Sequence, residues 1–208
     1  LIAGRHIVMD DATQTSSTNG NILLAAGTGD ITLETLSAGT GNVSVTATAG
    51  DILDQDSDAN GAGPADISAA GLLLNAGSGI GTGTNHLEIT VTTLTANAAA
   101  DGVFITEADG LTVDTLTIQV NRVTGTATAP TTANAAQDDL ETTAGGHIVL
   151  VSTTGNLVLD DEVTATGAGN ILLQAAGATE VVPEAIEASL MLASHALALV
   201  GVPMRKVL

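Results

Sequence analysis

Asp56-Ser57-Asp58-Ala59-Asn60-Gly61 sets oxygen-bearing side chains at alternate positions and closes on a glycine. This is the opening of a calcium loop, D-x-[DN]-x-[DN]-G, in which carboxylate and amide oxygens wrap a hard cation and glycine permits the sharp bend. The twelfth position of such a loop calls for a bidentate Glu, and here it is Ile67. Asp54 or Asp66 could substitute only through a different wrap. The expected metal ligands are therefore Asp56, Asp58, Asn60 and Asp66, with calcium as the ion. A solvated acidic loop is the competing account of the same residues.

Other chemistry-bearing groups point away from catalysis. The histidines are His6, His86, His147 and His195, and no two stand at metal-ligand spacing. Ala3-Gly4-Arg5-His6-Ile7-Val8-Met9 is echoed by Ala144-Gly145-Gly146-His147-Ile148-Val149-Leu150, so His6 and His147 are expected to be structural equivalents within a duplicated segment. Asp10-Asp11, Asp138-Asp139 and Asp160-Asp161 pair carboxylates as glycosidases do. Arg122 is the only basic residue between Arg5 and Arg205, and no Gly-His-Gly accompanies the acids. Gly77-Ser78-Gly79-Ile80-Gly81-Thr82 fails the dinucleotide fingerprint because Thr82 replaces its third glycine, and no lysine follows for a P-loop. The Thr-Ala-Thr triplets at 46–48, 126–128 and 164–166 are too sparse for an ice-binding ladder. Asn42-Val43-Ser44 fits a glycosylation acceptor. No catalytic or cofactor-binding residue is expected, and the chain reads as a non-enzyme.

The elements that must carry these groups repeat. Gly20-Asn21-Ile22-Leu23-Leu24, Gly29-Asp30-Ile31-Thr32-Leu33, Gly41-Asn42-Val43-Ser44-Val45 and Gly50-Asp51-Ile52-Leu53 share one pattern, which returns at Gly155-Asn156 and Gly169-Asn170. Asn21 and Asn42 are 21 residues apart, as are Asp30 and Asp51. A fixed period of this length marks stacked coils rather than a globule. Alternation within each unit predicts strands. Gly-Asn and Gly-Asp suit corners because both tolerate left-handed backbone angles. Stacked Asn21 and Asn42 are expected to hydrogen-bond amide to amide along the axis.

Composition agrees. The 208 residues include 24 Gly, one Phe and no Trp, Tyr or Cys. A narrow column of Val, Ile, Leu and Ala can fill a coil stack without aromatic rings. The absence of cysteine excludes disulfides and thiol metal sites. Four Lys+Arg against 23 Asp+Glu give a formal charge of −19, which repels nucleic acid and anionic membranes and favours divalent cations. No stretch reaches the ~18–20 apolar residues of a membrane span. The chain starts at Leu1 without a basic n-region, so it reads as a piece of a longer protein.

Residues 54–66 and 121–146 interrupt the repeats. The first is an acidic, turn-rich excursion. The second is rich in Thr and Ala around Pro130 and reads as a loop or poorly ordered coil. Beyond Glu180 the pattern changes. Pro183, Glu184 and Glu187 favour a helix start, Gly201 and Pro203 a stop, and Ile186, Leu190, Ala193 and Leu197 follow helical spacing. One amphipathic C-terminal α-helix is expected, within a segment running from 175 to 208.

With the Gly-Asn and Gly-Asp units and Ala70-Gly71-Leu72-Leu73-Leu74-Asn75-Ala76-Gly77-Ser78-Gly79-Ile80-Gly81, residues 1–174 resemble the coil repeats of filamentous-haemagglutinin-type exoproteins, large bacterial surface adhesins. The resemblance implies a right-handed parallel β-helix, export to the cell surface, and partners such as host-surface or matrix ligands or glycans. Neighbouring coils of a longer parent are implied too. Gly177-Ala178-Thr179-Glu180-Val181-Val182-Pro183-Glu184 and the residues to 208 resemble the end of the nucleotide-binding regulatory domain of potassium-efflux-type cation/proton antiporters. That implies the cytoplasmic side of the inner membrane, and a fusion, frameshift or misassembly junction near 174–176. A native helix capping the stack is the competing account. The expected fold is an all-β parallel solenoid of about eight coils with one C-terminal helix. The leading functional expectation is a structural or adhesive segment. The alternatives are an antiporter fragment and a calcium-dependent binding module.

Overall fold

The computed structural model describes residues 1–56, 63–121, 126, 130–177, 179–181 and 197–200, the last two stretches as backbone. Among these residues every regular element is a strand. Strands β2 (Ile7–Val8), β5 (Ile31–Leu33), β8 (Ile52–Asp54), β10 (Gly79–Ile80), β12 (Gly102–Glu107), β17 (Ile148–Ser152), β20 (Ile171–Ala175) and β22 (Leu197–Val200) stack in parallel. In that ladder Ile7, Ile31, Ile52, Ile80, Val103, Ile148, Ile171 and Leu197 lie one above another. Eight rungs at ~4.8 Å spacing span about 34 Å. The described residues thus form an all-β, parallel, β-helix-like stack.

A second ladder runs through β1 (Ile2–Ala3), β4 (Ile22–Ala26), β7 (Asn42–Ala47), β9 (Ile67–Ala76) and β11 (Leu87–Ala98), then through β16 (Leu140–Thr142) and β19 (Val163–Ala165). A third begins with β3 (Gln14–Ser16) and β6 (Thr35–Ser37) and joins the starts of β9 and β11. Alternation puts Ile31, Leu33, Val43, Val45, Leu72, Leu74, Leu94 and Ala96 inside, all fully buried. One aliphatic column therefore fills the centre, which is why the chain needs no rings.

The corner glycines serve close approach rather than left-handed backbone. Gly20, Gly29, Gly41, Gly50, Gly155 and Gly169 are absent from the positive-φ positions, which are Gly39, Gly81, Gly102, Gly110, Gly145 and Gly167. A Cβ on Gly50 would lie 2.6 Å from the Gly29 carbonyl carbon, and one on Gly41 2.5 Å from the Gly20 carbonyl oxygen. Stacked corners leave no room for a side chain.

The expected amide ladder takes another form. Asn21 Oδ1 accepts from the backbone N–H of Asn42 at 2.8 Å, and Asp30 Oδ1 from that of Asp51 at 3.0 Å. His6 Nδ1 accepts from Asp30 N–H at 3.0 Å, and His147 Nδ1 from Asn170 N–H at 2.9 Å. Each side chain binds the main chain of the next coil, because a corner turns one N–H away from the strand ladder. His6 and His147 are equivalent, each preceding its aliphatic rung.

Two expectations change. Residues 121–146 are not a loose loop where they are described. Leu140–Thr142 is a rung of the stack, and β14 (Gln119–Asn121) pairs antiparallel with β15 (Thr131–Ala133). The segment straps the outside of earlier coils. Asn21 Nδ2 donates to the Gln119 carbonyl at 2.7 Å, Asn134 Nδ2 to Ser44 Oγ, and Gln137 Nε2 to the Leu74 carbonyl at 2.8 Å. The outward row Ser44, Leu73 and Thr95 is buried as a result. The C-terminal helix falls mostly outside the described residues, but its expected position Leu197 lies in a strand on β20. Leu197 and Leu199 match the period of two that the ladder below them imposes.

Candidate functional site

The excursion over 54–66 leaves and rejoins the stack at one corner. Leu33 pairs with Asp54 and Leu36 with Ile67, so two residues in one coil span what takes twelve in the next. Asp54 thereby occupies the inward position that Leu33 holds in the coil beside it. The returning residue is Asp66, and the following coil sets Glu88 above it, with Glu88 N–H donating to Asp66 Oδ2 at 2.8 Å. Asp54, Asp66 and Glu88 are 8%, 3% and 4% exposed. One carboxylate oxygen from each falls in a set lying within 4.8 Å of one another.

Asp54 Oδ1 accepts from Asp56 N–H at 3.1 Å, while its Oδ2 is buried without a hydrogen-bond partner. Asn85 donates through Nδ2 to the Asp56 carbonyl at 2.7 Å, and its Oδ1 is likewise buried and unpartnered. Burial raises Asp54 above the ordinary carboxylate range, and the charge of Asp56 adds to this. Burial raises Asp66 as well, reinforced by the charges of Asp54 and Glu88 and opposed by the Glu88 N–H. Burial among other acids raises the cost of ionisation in this way. Nearby, His86 packs on Phe104 with ring centroids 6.0 Å apart and shares a 2.8 Å hydrogen bond with Thr106 through Nδ1. Burial lowers its basicity.

Of the expected metal ligands, Asp66 enters this cluster and Asp56 contributes its backbone to the corner. Asp58 and Asn60 lie outside the described residues. Asp54 was expected only as a substitute ligand, and Glu88 was not expected at all. A signal for Asp54 was present, since a period of two puts it on the same face as Ile52. Glu88, between Leu87 and Ile89, reads in sequence as an outward-facing strand residue. Its burial follows from the neighbouring chain rather than from its own alternation.

Two of the acid pairs bond to neighbouring threonines. Asp138 and Asp139 flank the strap, where their carbonyls accept from Thr95 Oγ1. Asp161 Oδ2 accepts from Thr115 Oγ1 at 2.9 Å. A groove of about 400 Å³ lies between the strap and Asn75, Asn97 and Gln137, and another of about 590 Å³ lies at the open first coil around Leu1, Ile7 and Val120. Neither is lined by Asp54, Asp66 or Glu88.

Fold and corner together define the class, a parallel β-helix-like stack with a buried acidic corner. No protein-family model, curated protein or solved structure matches the chain.

Proposed function

We propose that the chain is a non-enzymatic rod segment of a large bacterial surface or secreted repeat protein, coiled right-handed, whose work is extension and display. The observation that carries this reading is the unbroken column from Ile7 to Leu197. A structure built from repeating rungs transmits length and stiffness, and its outer faces offer long surfaces to matrix proteins or glycans. No helix among the described residues is long and apolar enough to cross a membrane. The pairing of Leu197–Val200 on β20 favours a tail that continues the rod over a foreign antiporter tail.

Two measurements test this. Solution X-ray scattering of the purified chain should give the profile of an elongated particle, and a spherical profile would refute the rod. An epitope placed in the parent protein should be digested by protease added to intact cells. Confinement of that epitope to the cytoplasm would overturn the surface assignment.

A further inference from the structure

We propose that Asp54, Asp66 and Glu88 bind one divalent cation of the calcium type at the stem of the excursion, with the Asn85 side-chain oxygen as an adjoining ligand. The inference goes beyond the rod reading and does not depend on where the parent protein resides.

The first observation is geometric. The three carboxylate oxygens lie within 4.8 Å of one another. Calcium takes oxygens at 2.3–2.6 Å, so two ligands on opposite sides of one ion stand up to about 5 Å apart. All three groups therefore fit around a single centre. The donors are hard oxygens without a thiol or imidazole among them, which selects calcium or magnesium over zinc and copper.

The second observation is independent of the clustering. Asp54 is more than nine-tenths buried, and its Oδ2 has no hydrogen-bond partner. Asn85 Oδ1, at the same corner, is buried and unpartnered too. A buried polar oxygen without a partner costs about 1–3 kcal/mol, and more when charged. Folded proteins place such groups where something satisfies them. A cation suits the place, because the three groups that meet here are acids. Arg5, the one Lys or Arg among the described residues, is exposed and sits in the first coil. A cation supplies both the charge and the missing contacts.

The arrangement also explains why the sequence motif is incomplete. A calcium loop ends in a bidentate Glu because the loop must close on itself. Here the stack closes the site. Asp54 ends the outgoing strand, Asp66 immediately precedes the returning one, and Glu88 comes from the next coil. Binding would tie the two feet of the excursion to the coil that follows, and Ile67 at the twelfth position becomes irrelevant.

The test uses the whole chain, stripped with a chelator and titrated with calcium chloride alone, then with magnesium chloride. Calorimetry should show one calcium per chain. Millimolar calcium should raise the thermal midpoint by at least about 5 °C, as expected when a ligand binds the folded state well above its Kd. Magnesium should raise it less, since it resists losing its water. Asp66→Asn and Glu88→Gln should each weaken calcium binding tenfold or more while keeping the strand signal in circular dichroism. The double variant Asp58→Asn/Asn60→Ala should bind as the parent does. If Asp66→Asn fails to fold, Asp54→Asn and the unmodified chain still decide the matter. Absence of heat and of any midpoint shift at millimolar calcium would overturn the site. So would loss of binding in the Asp58/Asn60 variant, which would move the ion into the loop. Scattering that still reports an elongated particle would separate either failure from failure of the rod.

Discussion

Two corners of this stack use the same bond in opposite surroundings. At the first, Asp30 Oδ1 holds the Asp51 N–H at 3.0 Å. At the second, Asp66 Oδ2 holds the Glu88 N–H at 2.8 Å. The Asp30 side chain is 40% exposed and stands 3.8 Å from the His6 imidazole, so water carries most of its charge. Asp66 and Glu88 are almost wholly buried, next to Asp54 with its orphan oxygen. One side-chain-to-next-coil contact is thus a mechanical tie when wet. When dry and crowded with acids, it joins a cluster in which buried oxygens of Asp54 and Asn85 have no hydrogen-bond partner. The difference arises from the excursion, which places an Asp where the neighbouring coil has Leu33.

The largest disturbance should come from the residue both corners share. Ile52 lies between Asp51 and Asp54 and is fully buried in the central column. Ile52→Ala should cost about 4 kcal/mol in denaturant unfolding, from lost transfer energy plus the cavity left behind. Because each coil supports the next, both corners should loosen together, and hydrogen exchange at Asp51 and Glu88 should accelerate in parallel. Exchange that rises at one corner alone would show that the two are independent.

Glu107 sharpens the comparison as a buried acid with its oxygens engaged. It is fully buried, with Oε2 accepting from Val91 N–H at 3.1 Å and Oε1 from Asp109 N–H at 3.0 Å. Burial pushes its carboxyl up to about 8 from 4.5, those N–H groups pull the other way, and the Asp109 charge adds to the rise. A raised carboxyl binds its proton more tightly in the folded state. Its contribution is therefore complete below pH 4.5 and is lost as pH climbs through 8. Between pH 5 and 9 the loss should be on the order of 3 kcal/mol. Glu107→Gln should flatten that slope in unfolding experiments done in chelator, and an unchanged slope would place the titration elsewhere.

How far the sequence revealed all this follows from the reach of each signal. Repeat period and alternation are local, and they located the coils, the aliphatic column and the equivalence of His6 with His147. The strap contacts of Gln119, Asn134 and Gln137 were illegible because their partners, Asn21, Ser44 and Leu74, are 63 to 98 residues away. The strap's Thr- and Ala-rich strands carry little burial signal of their own. The acidic corner was half legible. A motif drew attention to the excursion, but it directed the ligands into the loop, whereas Asp54, Asp66 and Glu88 meet only because of inter-coil register. Leu197 fits a helical stripe and a strand equally well, and the exposed edge of β20 favours the strand.

A smaller effect tests the strap against the plain corner. Asn21 both accepts from Asn42 N–H and donates to the Gln119 carbonyl. Asn21→Ala should cost about 1–2 kcal/mol, since it strands a part-buried N–H and releases one foot of the strap. Asn21→Asp keeps the acceptor and deletes the donor, so its loss relative to the parent chain measures the strap contact, and the gap between the two variants measures the bond to Asn42.

The least effect belongs to the wet corner, and its smallness is the prediction. Asp30→Asn keeps an Oδ1 that can accept from Asp51 N–H, as Asn21 already does for Asn42. It gives up one half-exposed charge that water largely screens, and exposed charges of this kind contribute 0–1 kcal/mol. The same change relieves repulsion from Asp51, whose carboxyl is raised by burial and then by the charges of Asp101 and Asp30. These small terms oppose each other, so Asp30→Asn should shift stability by no more than about 0.5 kcal/mol. Asp30→Ala, which removes the acceptor, should cost about 1 kcal/mol. A large loss in the Asn variant would mean that charge, rather than the hydrogen bond, holds the wet corner together. The contrast with the buried corner would then have to be drawn in electrostatic terms alone.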